Sequence, residues 1–154
     1  MTEITDNMQK YLNYREQMGR LSKAMKNGFY LEAVSIEYAV MEDRLESIIR
    51  HSGRWTPKPD EHVSIYQKVK RVEKLAEEKN SPAQKYFTAE LLKSILQWKE
   101  DRNDLMHKLM NQQLHTEDLR LAAESGQTII KTLSSKAKSY HRALERMKPK
   151  ENTN

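Results

Sequence analysis

Six consecutive residues, Arg102-Asn103-Asp104-Leu105-Met106-His107, set a permanent cation, an amide and an imidazole on one predicted helix. Histidine titrates near neutrality and can take or give a proton. Arginine stays charged and grips phosphate oxygens with a planar fork. Cleaving RNA without a metal needs a base for the 2′-hydroxyl, an acid for the leaving 5′-oxygen, and cations against the charge of the phosphorane. Removing one such charge stabiliser typically costs about 10²–10³ in rate. Asn103 and His107 are four residues apart and share a helix face next to that of Arg102. The apolar positions Phe87, Leu91, Ile95, Trp98, Leu105 and Leu109 follow helical steps, and the stripe continued past Trp98 arrives at Arg102. The spacing therefore predicts the trio on a part of the helix that is buried. A guanidinium there costs several kcal/mol unless it is paired or employed.

The helix bearing these residues belongs to a highly charged chain. It has 154 residues, 37% hydrophobic and 32% charged, with four glycines, four prolines and no cysteine. That length favours one domain with a core, and sparse punctuation predicts long elements. Lack of cysteine excludes a disulfide scaffold and thiolate metal sites and fits a reducing cytoplasm. The N-terminal residues Met1–Asp6 show neither a basic nor an apolar signal region, and no run approaches a membrane span. The expectation is a cytoplasmic protein without a membrane partner. A net charge of +5 favours anionic partners such as RNA, weakly.

Thr5 or Asp6 is positioned to cap a first helix running to about Lys26, with Met8, Leu12, Met18, Leu21 and Met25 on its stripe and Asn27-Gly28 as its stop. A second helix carries Tyr30, Val34, Tyr38, Met41, Leu45 and Ile48 and ends at Gly53. Trp55-Thr56-Pro57-Lys58-Pro59 is a loop, because proline restricts its own residue and the one before it. Asp60 is the expected cap of a third, charged and peripheral helix through Val63, Tyr66, Val69 or Lys70, Val72 and Leu75. Ser81-Pro82-Ala83-Gln84 has the cap, first-turn proline and capping-box glutamine of a fourth helix start. Asp101 and Asp104 are placed to break or re-cap that helix near Arg102. Asn111–His115 is a loop, and Thr116, Glu117 and Asp118 open the last helix, whose stripe is Leu119, Ala122, Gly126, Ile129, Leu133, Tyr140, Leu144 and Met147. No segment alternates as a strand. The expected fold is an all-α bundle of about five helices with short loops, residues 1–147, followed by a flexible tail, residues 148–154.

Arg102, Asn103 and His107, late in such a bundle, fill the R-x(4–6)-H pattern with its polar second residue. The chain in this respect resembles the HEPN superfamily. The second helix, with Tyr38 and Glu42 in an apolar stripe, looks like the long early helix of those domains. The resemblance spans about Met8 to Met147, with its specific part confined to six residues. It implies a metal-independent endoribonuclease, a toxin or antiviral effector, acting as a homodimer whose two motifs face each other. Arg102, Asn103 and His107 are then catalytic, no cofactor or metal is required, and the partners are RNA, a second copy and an antitoxin or regulatory protein. Other members are inactive and bind RNA or protein. One toxin branch carries a modified tyrosine two positions after the histidine. Leu109 stands there, a departure from that scheme.

Blander readings stand beside these. Arg102 can pair with Glu100, Asp101 or Asp104, Asn103 can cap a kink, and His107 can be a packed histidine. The loose pattern also fits Arg44 and His51, but Leu45 follows the arginine, so this pair reads as a decoy. His51, His62, His115 and His141 show no ligand spacing, so no zinc site is expected. Trp55 and Trp98 read as core or loop anchors. Lys68, Lys70, Arg71 and Lys74 interleave with Glu73, Glu77 and Glu78 as a solvated face. The alternatives to a ribonuclease are an inactive HEPN-like dimer that binds RNA or a protein partner, and an unrelated helical interaction protein or antitoxin.

Overall fold

A computed structural model describes residues 6–58, 61–111 and 114–149. Among them there is no strand, and the elements in order are α1 (Asp6–Asn27), α2 (Tyr30–His51), α3 (Ile65–Glu77), α4 (Ala83–Tyr86), α5 (Ala89–Met110) and α6 (Thr116–Met147). The chain is all-α, as its periodicity predicts. Thr5, Pro59, Asp60, Gln112, Gln113 and the tail beyond Pro149 lie outside the described residues. Among the described residues, no helix is long and apolar enough to cross a membrane.

Local chemistry explains most helix ends. Gly28 and Gly53 take φ values of +73° and +78°, the left-handed turn that stops α1 and α2. The third helix does not start at Asp60. Ser64 caps it, accepting from the Gln67 backbone while the Gln67 side chain accepts from the Ser64 backbone N–H. Ile65, Val69, Val72 and Leu75 of α3 are buried, while Tyr66, Gln67, Lys74 and Glu77 are exposed, so the helix packs by one face.

The expected fourth helix divides in two. Ser81 opens only the single turn α4, where its Oγ accepts from the Ala83 N–H at 3.2 Å. The chain then breaks at Phe87, whose ring is buried edge-on against Tyr140 at 5.2 Å. Thr88 restarts it, its hydroxyl accepting from the Leu91 N–H at 3.2 Å to open α5. The α5 helix continues through Asp101, Arg102 and Asp104 without interruption. Among the described residues six helices therefore stand where about five are expected.

The chain divides into two units. One comprises the described residues up to Val40 with Trp98–Gln127, and the other Met41–Gln97 with the described residues from Thr128. In the first, Ala33, Val34, Glu37, Trp98, Ala123 and Leu21 are buried. In the second, Met41, Leu45, Ile65, Ile95, Ile130 and Leu133 are among the fully buried apolar side chains.

Candidate functional site

The α5 helix carries Arg102, Asn103 and His107 in the first unit. Leu92, Ile95, Trp98 and Leu105 define its buried side, while Leu91 is only half-buried and Leu109 is exposed. Arg102 falls at the edge of that side and is half-buried, whereas Asn103 and His107 are exposed. This corrects the expectation of a buried trio. Residues five and nine positions after Trp98 point well away from it on a helix, so only Arg102 inherits the stripe.

The Arg102 guanidinium lies over the Tyr38 ring of α2, with Cζ 4.3 Å from the centroid. Its Nη1 donates to Asn103 Oδ1 at 3.4 Å, and its Nε is enclosed without a hydrogen-bond partner. Among the described residues it forms no ion pair. Glu100 pairs with Lys99 instead, at 3.3 Å. Tyr38 thus orients the cation by a contact worth about 0.5–2 kcal/mol, without neutralising its charge. The sequence places Tyr38 in the apolar stripe of the second helix but does not link it to Arg102.

Behind this surface lies a residue that helical periodicity should have singled out. Glu37 sits three positions after Val34 and four before Met41, inside the α2 stripe, and is fully buried with neither carboxyl oxygen hydrogen-bonded. Burial pushes its pKa up to about 9. The acid is accordingly protonated near neutrality, which removes the cost of an unpaired buried charge. Gly126 of α6 leaves room for it. A Cβ at that position would collide with the Glu37 carboxyl oxygen and stand 2.8 Å from Trp98 Nε1. The Trp98 indole is occupied elsewhere, donating to the Ala122 carbonyl at 2.9 Å. Trp98 is a core anchor, as its sequence context implies.

An open cavity of about 430 Å³ adjoins the motif between α5 and α6. Asp101, Asp104 and Leu105 line it, but Arg102, Asn103 and His107 do not.

The second unit holds polar groupings of its own. Lys68 is buried, not solvated as its charged neighbourhood implies. Its ammonium sits 3.7 Å from Glu42 and 3.8 Å from Glu46 of α2 and donates to the Glu42 carbonyl. Trp55 is a loop anchor with Arg50, Lys68 and Arg71 around its ring at 5.2, 5.8 and 5.5 Å. His51 and His141, far apart in sequence, bring their rings to 4.0 Å, and His141 Nε2 is 4.0 Å from Glu145. Lys148, hydrogen-bonded to Glu145 at 2.9 Å, holds that exposed carboxyl below its ordinary pKa, with smaller help from both histidines. Among the described residues, no three histidine, aspartate or glutamate side chains are grouped as metal ligands.

Fold and site together define an all-α chain presenting an arginine, an amide and a histidine from one uninterrupted helix. No family model, curated protein or solved structure matches it.

Proposed function

We propose that this chain is a HEPN-type, metal-independent endoribonuclease that works as a homodimer. The observation that carries the reading is the state of Arg102. Its guanidinium is oriented by Tyr38 and Asn103, yet it is in ion-pair contact with no carboxylate among the described residues. A phosphate can therefore claim its full charge. His107 is exposed one turn beyond Asn103, within reach of solvent and substrate.

One chain supplies one imidazole to this surface, and the reaction uses two proton transfers. In a dimer, His107 of one copy takes the 2′-hydroxyl proton as that oxygen attacks phosphorus. His107 of the other gives a proton to the departing 5′-oxygen. The two Arg102 side chains hold the non-bridging oxygens as negative charge grows. The products are a 2′,3′-cyclic phosphate and a 5′-hydroxyl. Such activity suits a toxin or an antiviral effector, kept in check by an antitoxin or regulatory protein.

The test is an RNA-cleavage assay in excess EDTA with analysis of the product ends. Cyclic phosphate at the new 3′ end is the expected result. Cleavage that vanishes in EDTA and returns with magnesium or manganese contradicts the mechanism.

A further inference from the structure

The α1 helix buries one apolar face in its own unit and leaves Met8, Tyr11 and Leu12 exposed on another side. Leu21 and Ala24 are buried, with Gln17 and Met25 half-buried beside them. Around the helix from these, Met8, Leu12, Arg15 and Gly19 follow one another at steps of four, three and four, with Tyr11 alongside. Every residue from Asp6 to Asn13 is exposed, and Tyr11 and Leu12 remain 61% and 42% accessible. Gly19 falls on the same outer face, and a Cβ there would meet nothing within 4 Å. Glycine is a poorer helix former than alanine, and nothing in the protomer requires it at this position. Another surface approaching the helix closely would.

Charge says which surface. The α1 helix carries Lys10, Arg15, Arg20, Lys23 and Lys26 against only Asp6 and Glu16. The cavity between α5 and α6 has the opposite character. Its floor is Trp98, Leu105 and Leu121, and its charged lining is Asp101, Asp104 and Asp118 against Lys108 alone. Asp104 and Asp118 form no ion pair among the described residues. Leu121 is 52% exposed, an apolar side chain left uncovered at the groove. The α1 helix of the same chain already packs through Leu21 and Ala24 and leaves its outer face in solvent, so a complementary helix must come from elsewhere.

We propose that the outer face of α1 docks into the α5–α6 groove of a second copy, reciprocally, so that two identical contacts close a two-fold dimer. Tyr11 and Leu12 cover the apolar floor, and Arg15 meets the aspartates. The inference rests on the homodimer of the proposed function and adds a contact for it that Arg102, Asn103 and His107 do not line; it is read out by mass, not by RNA cleavage.

The full chain and its variants are compared by sedimentation equilibrium at micromolar concentration. Wild type is expected to be a dimer. Leu12→Glu and Arg15→Glu are each expected to raise the dimer dissociation constant about tenfold or more. Circular dichroism should remain that of wild type, since both side chains are exposed in the protomer. Charge reversal on both sides, Arg15→Glu with Asp118→Arg, is expected to restore the dimer. A monomeric wild type overturns the inference, as does an Arg15→Glu protein that dimerises like wild type. Loss without rescue in the double variant removes the groove as the partner of Arg15. Loss of binding to RNA or to anionic vesicles with unchanged mass assigns the face to a polyanion instead and equally overturns it. His107→Ala is expected to stay dimeric. A wild-type dimer that obeys these charge rules but cuts no RNA leaves this inference standing while the proposed function falls.

Discussion

The unit containing Trp98–Gln127 and the unit containing Met41–Gln97 handle buried charge in opposite ways. In the latter, Lys68 is enclosed between Glu42 and Glu46, so the ion is compensated where it is desolvated. In the former, Glu37 is enclosed with no partner and Arg102 Nε is enclosed with none. The same division appears at the surface. Of ten large apolar side chains that are exposed among the described residues, eight belong to the first unit, from Met8 to Leu31 and at Leu109, Met110 and Leu121. Only Tyr66 and Met147 belong to the second. Both units enclose polar atoms without a hydrogen-bond partner, Trp55 Nε1 and His141 Nδ1 in the second beside the Glu37 carboxyl and Arg102 Nε in the first, but an unpartnered ionisable carboxyl and most of the uncovered apolar side chains belong to the first. Local rules broken without internal compensation concentrate where a protein acts on something else. The proposed chemistry and the proposed docking face both fall on that side.

Substitutions in the motif should break the comparison most severely. His107→Ala is expected to lower single-turnover cleavage by about 10²–10³, equivalent to about 3–4 kcal/mol, with RNA affinity nearly intact. Arg102→Ala should lose comparable activity and also weaken RNA binding in a salt-dependent titration, since phosphate attraction is charge-driven. Arg102→Lys should recover only part, because an ammonium lacks the planar fork that bridges two oxygens. Asn103→Ala should fall between, having loosened the guanidinium without removing charge.

Glu37 offers the next largest effect, on stability. Its folded pKa is raised to about 9, so the folded protein holds a proton that the unfolded chain releases near the ordinary value of 4.5. Stability from this group is therefore greatest below about pH 4.5 and declines as pH rises toward 9. The slope is at most about 1.4 kcal/mol per pH unit. Glu37→Gln should flatten that decline and stabilise the protein at pH 8 by about 2 kcal/mol, after the cost of burying an amide. Urea denaturation across the pH range measures both. A wild-type profile already flat from pH 5 to 9 would show that the carboxyl finds a partner.

Gly126→Ala sharpens the same point sterically. The added methyl group would stand 2.7 Å from Glu37 Cδ and 2.8 Å from Trp98 Nε1. A loss of about 1–2 kcal/mol is expected by thermal or chemical denaturation, as for other overpacked cores. Pairing it with Glu37→Ala should recover much of that loss, because the colliding oxygen is gone. In the other unit, Arg44→Ala, at a half-buried side chain, should change stability by about 1 kcal/mol or less and leave specific activity unchanged. Arg44 is joined to the adjacent Asp43 at 2.5 Å.

These contrasts also show what a sequence can carry. The stops at Gly28 and Gly53 and the start at Thr116 were legible because each depends on neighbours in the chain. The break at Phe87 was not: its ring packs on that of Tyr140, more than fifty residues away, a contact no local pattern carries. The start of α3 moved from Asp60 to Ser64 because the reciprocal Ser64–Gln67 box satisfies two backbone donors at once. At the site, the helical stripe leads to Arg102 as a buried cation, and the structure leaves it half-buried at the edge of that side. The same period on α2 passes through Glu37, between Val34 and Met41. The sequence does not carry the contact of Arg102 with Tyr38 or the meeting of His51 with His141, which join residues that only folding brings together.

That last pair supplies the most direct test of where the chemistry resides, since among the described residues it brings two imidazole rings within 4.0 Å of each other. Single-turnover RNA cleavage in EDTA should be measured for His107→Ala beside the double variant His51→Ala/His141→Ala, each confirmed folded by circular dichroism. The account predicts a loss of about 10²-fold or more for His107→Ala and near wild-type cleavage for the double variant. Wild-type cleavage by His107→Ala, with the loss falling on the double variant, would contradict it.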